Sequence, residues 1–118
     1  MTLKELYDNV GGDYEDIYSR FGNEDMIRMF IDMFVREPSF GQLKEAMATD
    51  DMEAAFTMAH TMKGVCANIA FTRLQKLASE ITEDLRGGKD VPAARELFPT
   101  LERCYDETLQ MIQKYKED

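Results

Sequence analysis

The sequence predicts an all-α fold, an antiparallel four-helix bundle with a short helical arm at its N-terminus. Apolar residues recur at spacings of three and four over long stretches, which is typical of helices with one buried face. No stretch alternates as a strand does, and glycine, proline and aspartate separate the helical stretches. At 118 residues and 44% hydrophobic, the chain suits one domain with a single core. We assign residues 1–22 to the arm and residues 23–118 to the bundle.

The arm is predicted as two short helices. The first is Leu3–Val10, and the Gly11-Gly12-Asp13 run indicates its end and an N-cap for a second helix through Phe21. Gly22-Asn23 then ends that helix and caps the next one, whose apolar residues cover more than one face. They are Met26, Ile27, Met29, Phe30, Ile31, Met33, Phe34 and Val35. A core-facing helix needs an apolar arc of little more than about 100°, so this set is either packed on two sides or exposed to a partner.

Pro38 predicts a break before a helix that ends near Ala48. Its expected buried residues are Phe40, Leu43 and Met47. Asp50-Asp51-Met52-Glu53 resembles a capping box, with Asp50 as the N-cap and Glu53 bonding back to it. The helix that begins there carries two stripes at helical spacing. The core stripe is Ala55, Ala59, Met62, Cys66 and Ile69, and the second stripe is Thr57, His60, Gly64 and Ala67.

Two further helices complete the predicted bundle. Asn68 is expected to end the preceding helix in a left-handed turn, and the next helix stops at Gly87-Gly88. Its core residues are Leu74, Leu77, Ala78, Ile81 and Leu85. Asp90 caps the last helix, and Pro99 is expected to kink it. The seam of that helix is Ala94, Leu97, Leu101, Tyr105, Leu109 and Ile112, with Pro92 in the first turn.

The composition narrows the class of partner. A net charge of −9 repels nucleic-acid phosphates and anionic lipid, so we predict a protein partner, with no nucleic acid and no membrane. No apolar run is long enough to span a membrane, and the first residues lack the form of a signal peptide, which predicts a cytoplasmic protein. Cys66 and Cys104 fit no metal-ligand or CxxC spacing, so we expect buried free thiols rather than a disulfide or a ligand pair.

His60 is the only histidine in the chain, and Lys63 and Gly64 follow it on the same helical face. A lone histidine is by itself more often an ordinary side chain. Neutral imidazole is nucleophilic near neutral pH, however, so an exposed histidine can accept a phosphoryl group, and Lys63 would face the added charge. A glycine inside a helix costs roughly 1 kcal/mol relative to alanine, and a partner that needs space beside His60 would explain Gly64.

A basic island surrounds the histidine. Residues 54–79 contain no Asp or Glu but include Lys63, Arg73 and Lys76, which suits an acidic docking partner or a bound phosphate. The alternative is chance clustering in a core helix that needs few charges. Enzyme classes fit poorly, because there is no second histidine for a helical di-metal site, no phosphate-binding glycine loop for ATP and no signature of a nucleophile triad.

One segment carries a family resemblance: Ala59-His60-Thr61-Met62-Lys63-Gly64, followed by Asn68 and by Leu74-x-x-Leu77-Ala78. It resembles the histidine-containing phosphotransfer (HPt) domain of multistep two-component phosphorelays, and the likeness extends to the Gly11 run, to Phe30 and Phe34 and to Asp50. The resemblance implies that His60 takes a phosphoryl group on Nε2 from the aspartyl phosphate of a receiver domain and passes it to another receiver's aspartate. Lys63 would stabilise the phosphate, and Gly64 would leave room for the partner.

The resemblance also implies the partners. They are response-regulator receiver domains and a hybrid sensor kinase, and the receiver brings Mg²⁺, so this chain needs no cofactor or metal of its own. It would be a monomeric phosphoryl carrier rather than a self-contained catalyst. Departures from the family pattern are bulkier residues at three positions, which predict a narrower choice of partners: Val65, Ala67 and Ala70. The expected docking residues are Thr57, Thr61, Ala67, Asn68, Arg73 and Lys76.

Some alternatives stay open. Many family members orient the imidazole with Glu or Gln on the following helix, whereas this chain has Thr82 with Glu83 beside it. A second function is a binding module that docks a receiver or kinase without phosphate transfer, and a third is the phosphoacceptor domain of a chemotaxis-type kinase. The complete His60, Lys63 and Gly64 set favours the carrier. Sensor-kinase dimerisation helices match less well, because the acidic residue and proline that follow their histidine are missing.

Overall fold

Turn residues and caps divide the chain into seven helices in the computed structural model, which describes residues 1–118. The helices are α1 (Leu3–Val10), α2 (Tyr14–Phe21), α3 (Glu24–Arg36), α4 (Ser39–Ala48), α5 (Met52–Asn68), α6 (Thr72–Leu85) and α7 (Val91–Glu117), with a 3₁₀ turn at Arg86–Gly88. There is no strand. The predicted all-α bundle with an N-terminal helical arm is therefore confirmed, and α5 lies at its centre, packed on both α4 and α6.

Most helix boundaries follow from the predicted caps. Gly11 and Gly22 take left-handed conformations at the ends of α1 and α2. The side chains of Asp13, Asn23 and Asp90 accept hydrogen bonds from the first turns of α2, α3 and α7. Such caps satisfy N–H groups that have no partner within the helix, which is why short polar residues fix where these helices begin.

The start of α5 differs from the prediction. Its N-cap is Asp51, whose carboxylate accepts a hydrogen bond from the Ala54 N–H at 3.1 Å, and not Asp50. Asp50 has a left-handed backbone, with φ 61°, and closes α4 instead. The Asp51 N–H donates to the Ala46 carbonyl at 2.9 Å, which is the bond of a Schellman motif around a left-handed residue. Because Asp50 is not the N-cap, the predicted capping box between Asp50 and Glu53 does not form.

The end of α5 differs in the same way. The helix stops at Asn68, but the left-handed residue is Ala70, with φ 58°, and not Asn68. The Phe71 N–H donates to the Cys66 carbonyl at 3.0 Å and completes a second Schellman motif. A left-handed conformation costs a residue with a Cβ roughly 1–2 kcal/mol, so this turn needs support from outside the helix.

The arm supplies that support. The Asp13 N–H donates to the Ala70 carbonyl at 2.9 Å, and the buried Tyr7 hydroxyl donates to the Ile69 carbonyl at 2.9 Å. These bonds occupy the carbonyls of the strained turn. The loop between α1 and α2 and the connection between α5 and α6 therefore hold each other in place.

Arg20 of α2 holds the last turn of α5 from the other side. Its guanidinium donates to the Asn68 carbonyl at 3.1 Å and to the Ala67 carbonyl at 3.2 Å. Both carbonyls lie in the last turn of α5, where the N–H groups of a following helical turn are missing. The arm thus fixes the C-terminal end of the helix that carries His60.

Gly12 is the close contact between arm and bundle. A Cβ at this position would lie 2.7 Å from the Tyr7 ring and 2.9 Å from the Ala70 carbonyl oxygen. We therefore expect Gly12→Ala to lower the free energy of unfolding by about 1–3 kcal/mol, as overpacked sites do. Gly41→Ala in α4 is the matched control, because its Cβ would meet no atom within 4 Å and should add up to about 1 kcal/mol. Urea denaturation of both variants measures the two changes in the free energy of unfolding. Equal midpoints for the two variants would contradict the predicted clash at Gly12.

The apolar set of α3 is partly packed on two sides and partly exposed. The Phe30 ring lies 4.6 Å from the Phe21 ring of the arm, centre to centre. Ile27, Ile31 and Phe34 are buried, and Phe30 is half-buried. Four other members are more than a third exposed: Met26 (39%), Met29 (60%), Met33 (53%) and Val35 (39%). Both interpretations left open by the sequence therefore hold, each for a part of the set: Phe30 packs against the arm, and the methionines and Val35 are exposed.

The seam of α7 is partly different from the predicted one. Ala94, Leu101 and Ile112 are buried as expected, but Leu97, Tyr105 and Leu109 are only half-buried. The other buried residues are Cys104 and Thr108. Helix α7 packs on both α6 and α1, so its buried stripe follows the groove between two neighbours. It continues as one helix through the exposed Pro99, and a bend there stays a prediction.

Candidate functional site

The second stripe of α5 faces solvent. His60, Thr57, Thr61 and Gly64 are exposed, while the predicted core stripe on the opposite side is buried. The Thr57 hydroxyl donates to the Glu53 carbonyl at 3.2 Å, and the Thr61 hydroxyl donates to the Thr57 carbonyl at 2.9 Å. Because both hydroxyls bond back to the helix, they leave the imidazole without a threonine partner. Lys63 and Ala67 border the stripe and are half-buried.

The imidazole of His60 lies beside Phe56, one turn earlier on α5. The two ring centres are 6.2 Å apart, and the planes differ by 13°. Neither candidate orienting residue on α6 reaches the ring. Thr82 is fully buried and donates its hydroxyl to the Ala78 carbonyl at 2.7 Å. Glu83 forms an ion pair with Arg86. The ring therefore keeps both nitrogens available to a partner.

Arg86, directly after α6, extends the site. Its guanidinium carbon lies 5.0 Å from the centre of the Phe56 ring, a cation–π distance. Two of its nitrogens donate to the two carboxylate oxygens of Glu83, each at 3.2 Å. Arg86 lowers the pKa of Glu83, and the positive charges of Lys63 and Lys89 lower it further. The Arg86–Glu83 pair thus lies beside the same Phe56 ring as the imidazole of His60.

Gly64 leaves open space on the other side of the imidazole. A Cβ built on it would meet no atom within 4 Å, so the glycine is not required by packing. It also has an ordinary helical conformation rather than a left-handed one. No structural need of the chain itself explains a glycine here, which costs helix stability.

An apolar surface connects α3 to the stripe. Met26, Met29 and Met33 stand three and four positions apart on the exposed face of α3, and we call them the methionine surface. Met33 also lines a groove of about 190 Å³ between α3 and α5. The other residues that line the groove are Phe30, Phe34, Glu37, Val65, Asn68 and Ile69. The methionine surface therefore continues, through this groove, to the C-terminal half of α5.

The structure does not bring every predicted docking residue to His60. The Arg73 guanidinium packs against Gly11 and lines a cavity with Cys104 and Glu107, on the side of α7. Lys76 is exposed on α6. Arg86 was missed because it lies outside the acid-free run of the sequence. The antiparallel pairing of α5 and α6 was the signal that could have found it, since this pairing brings the end of α6 beside the start of α5.

The two cysteines are free and buried, as predicted. Burial raises the pKa of the Cys66 thiol to about 12, so this sulfur is not a nucleophile near neutral pH. None of the seven helices combines the length and the apolar character that crossing a bilayer requires.

Comparison with known proteins gives one result. A family model described as the Hpt domain matches residues 25–111, which run from the start of α3 into α7 and include the whole of α5 and α6. The search of curated proteins and the search of solved structures return no match. The matched segment contains His60, Phe56, Glu83 and Arg86, so the candidate site lies entirely within it.

Proposed function

The chain belongs to the Hpt domain family, whose members transfer phosphoryl groups through histidine in phosphorelays, and on this premise we propose that His60 is its phosphoacceptor. The donor is the aspartyl phosphate of a receiver domain, and the acceptor is the aspartate of another receiver. A hybrid sensor kinase supplies the first receiver, and the protein acts as a monomer. The observation that carries the proposal is the exposure of His60, the only imidazole in the chain, beside the open surface at Gly64.

The proposed step needs little from this chain beyond position. The Nε2 lone pair attacks phosphorus in line with the bond to the aspartate oxygen; the nitrogen–phosphorus bond forms as the phosphorus–oxygen bond breaks, and the carboxylate leaves. Phosphoryl transfer has a loose transition state, so positioning and electrostatics supply most of the acceleration. Lys63 and Arg86 provide positive charge on this side. We assign Mg²⁺ to the receiver domain.

We place the receiver on the exposed stripe of α5 and on the methionine surface. Thr57, Thr61, Ala67 and Asn68 belong to this stripe or its border, and Lys76 would add a charged contact at its edge. The groove supports this docking surface, because it connects the methionine surface to α5 and Glu37 is the only charged residue that lines it. Flexible methionine side chains suit a surface that receives more than one receiver domain.

Met33→Glu should therefore weaken receiver binding by about tenfold, because it places a charge in an apolar contact. Val35→Glu is the matched control: it adds the same charge to α3, but outside the methionine surface and the groove. Both variants should fold, since both side chains are exposed. Titration with a receiver domain measures the two dissociation constants. Equal losses of affinity, or none for Met33→Glu, would contradict this docking surface.

A transfer assay tests the function itself. The protein is mixed with a panel of receiver domains charged with acetyl phosphate, and phosphate on the chain is followed by gel. Phosphohistidine is acid-labile and base-stable, so both treatments identify the linkage. Receivers that bind the chain but never transfer phosphate to it would instead identify a docking module without phosphoryl flow.

A further inference from the structure

The guanidinium of Arg86 is already occupied. Glu83 fills its fork with two parallel hydrogen bonds of 3.2 Å, one to each carboxylate oxygen. This is the geometry in which arginine also binds phosphate, because both anions present two oxygens at matching positions. In the unphosphorylated protein, a carboxylate therefore takes the place that a phosphoryl group would take on the same fork.

The occupied fork lies within reach of His60. Both groups lie beside Phe56, whose ring centre is 6.2 Å from that of the imidazole and 5.0 Å from the guanidinium carbon. The distance from the guanidinium carbon to the imidazole centre is therefore at most the sum of these two distances. Arg86 is about half exposed (53%), and its side chain has free rotatable bonds on the solvent side. Rotamer changes of an exposed side chain of this kind are fast, so Arg86 is able to change its anionic partner.

We propose that Glu83 is a positioning residue that holds Arg86 in the unphosphorylated protein, and that the phosphoryl group on His60 displaces it from the guanidinium. The inference rests on the proposed function of His60 and adds a competition between two anions for one cation. Breaking the Glu83–Arg86 pair is part of the free energy of phosphorylating His60. Glu83 therefore shifts the equilibrium of transfer away from this chain and toward the aspartyl phosphate of the receiver.

Two other positive charges keep Glu83 ionised. Lys63 and Lys89 also stabilise its carboxylate, so the charged form of Glu83 persists beside the site. When a phosphoryl group arrives with additional negative charge, Glu83 both withholds Arg86 and repels the new anion. All these groups are at least partly exposed, so the effect is moderate and weakens as salt rises.

The equilibrium of transfer from a charged receiver tests the inference. Glu83→Gln should raise the ratio of phosphorylated chain to phosphorylated receiver by about two- to fivefold at low salt, the range expected of an exposed charge pair. Glu80→Gln is the control, because Glu80 is on the same helix but lines a cavity with Glu96 of α7. This control should leave the ratio unchanged. An unchanged ratio for Glu83→Gln, in a protein whose wild type accepts phosphate, would overturn the inference while leaving the proposed function intact.

A double-mutant cycle separates competition from simple repulsion. Arg86→Gln alone should lower the ratio, and Glu83→Gln should raise it less in that background than in the wild type, because only the repulsion is left to remove and no guanidinium to release. If Glu83→Gln shifts the ratio equally with and without Arg86, the carboxylate acts only through its charge, and displacement is excluded. A wild-type protein that accepts no phosphate from any receiver would overturn both this inference and the proposed function.

Discussion

His60→Gln should fold as the wild type does and accept no phosphoryl group from any receiver domain. Glutamine fits the exposed helical position, but its amide nitrogen is not nucleophilic, and the chain has no second imidazole to replace the first. Phosphate on the chain should fall below detection in the transfer assay. Circular dichroism and thermal unfolding should match the wild type, because His60 makes no core contact.

Receiver binding is the control for this variant. Titration of His60→Gln with a receiver domain should give a dissociation constant close to that of the wild type, which would show that docking is intact. Acid-labile, base-stable phosphate on His60→Gln at the wild-type level would disprove the assignment of the phosphoacceptor.

Gly64→Trp should give the second largest effect, a fall of about a hundredfold or more in the rate of phosphoryl transfer. A Cβ at this exposed position would meet no atom within 4 Å, so a side chain can leave the helix here, and an indole would cover the surface beside His60. Reacting atoms must approach to roughly 3–3.5 Å in line, and an intervening side chain prevents this. Single-turnover transfer from a charged receiver measures the rate.

Two glycine variants isolate the steric effect. Gly64→Ala should add up to about 1 kcal/mol of stability through helix propensity, while its small side chain leaves transfer within about threefold of wild type. Gly41→Trp changes a second open glycine, on α4, and should transfer at the wild-type rate. A folded Gly64→Trp protein that transfers as fast as the wild type would move the docking face elsewhere around His60.

Local chemistry was sufficient to predict most of the fold. Gly11 and Gly22 are glycines at left-handed positions, and Asp13, Asn23 and Asp90 cap helices, each through interactions within a few residues along the chain. Cap residues of this kind act without tertiary context, so a single sequence reveals them.

The two incorrect helix ends depend on more distant structure. Asp50 and Asp51 are equivalent caps by type, and only the end of α4 decides that Asp50 is left-handed and Asp51 begins α5. Ala70 is an unfavourable left-handed residue by propensity. Its conformation is stabilised by hydrogen bonds from an arm more than fifty residues earlier, which no local pattern contains.

The candidate site divides in the same way. Helical spacing alone placed His60 and Gly64 on one exposed stripe. The position of Arg86 depends on the register between α5 and α6, and that of Arg73 depends on its contact with Gly11. Both positions depend on tertiary contacts. The distribution of charges along the sequence therefore placed Arg73 among the docking residues and did not identify Arg86.

The contact between the arm and the α5–α6 connection also bears on where the folding unit begins. The family match starts at residue 25, yet Tyr7 and Asp13 hold the carbonyls that follow the histidine helix. A fragment cut at residue 25 would return these carbonyls to water and leave left-handed Ala70 without support. In the full chain, we expect amide hydrogen exchange in the last turn of α5 to follow detachment of the arm, and not global unfolding of the bundle. We therefore expect a fragment that begins at residue 25 to be less stable than the full chain.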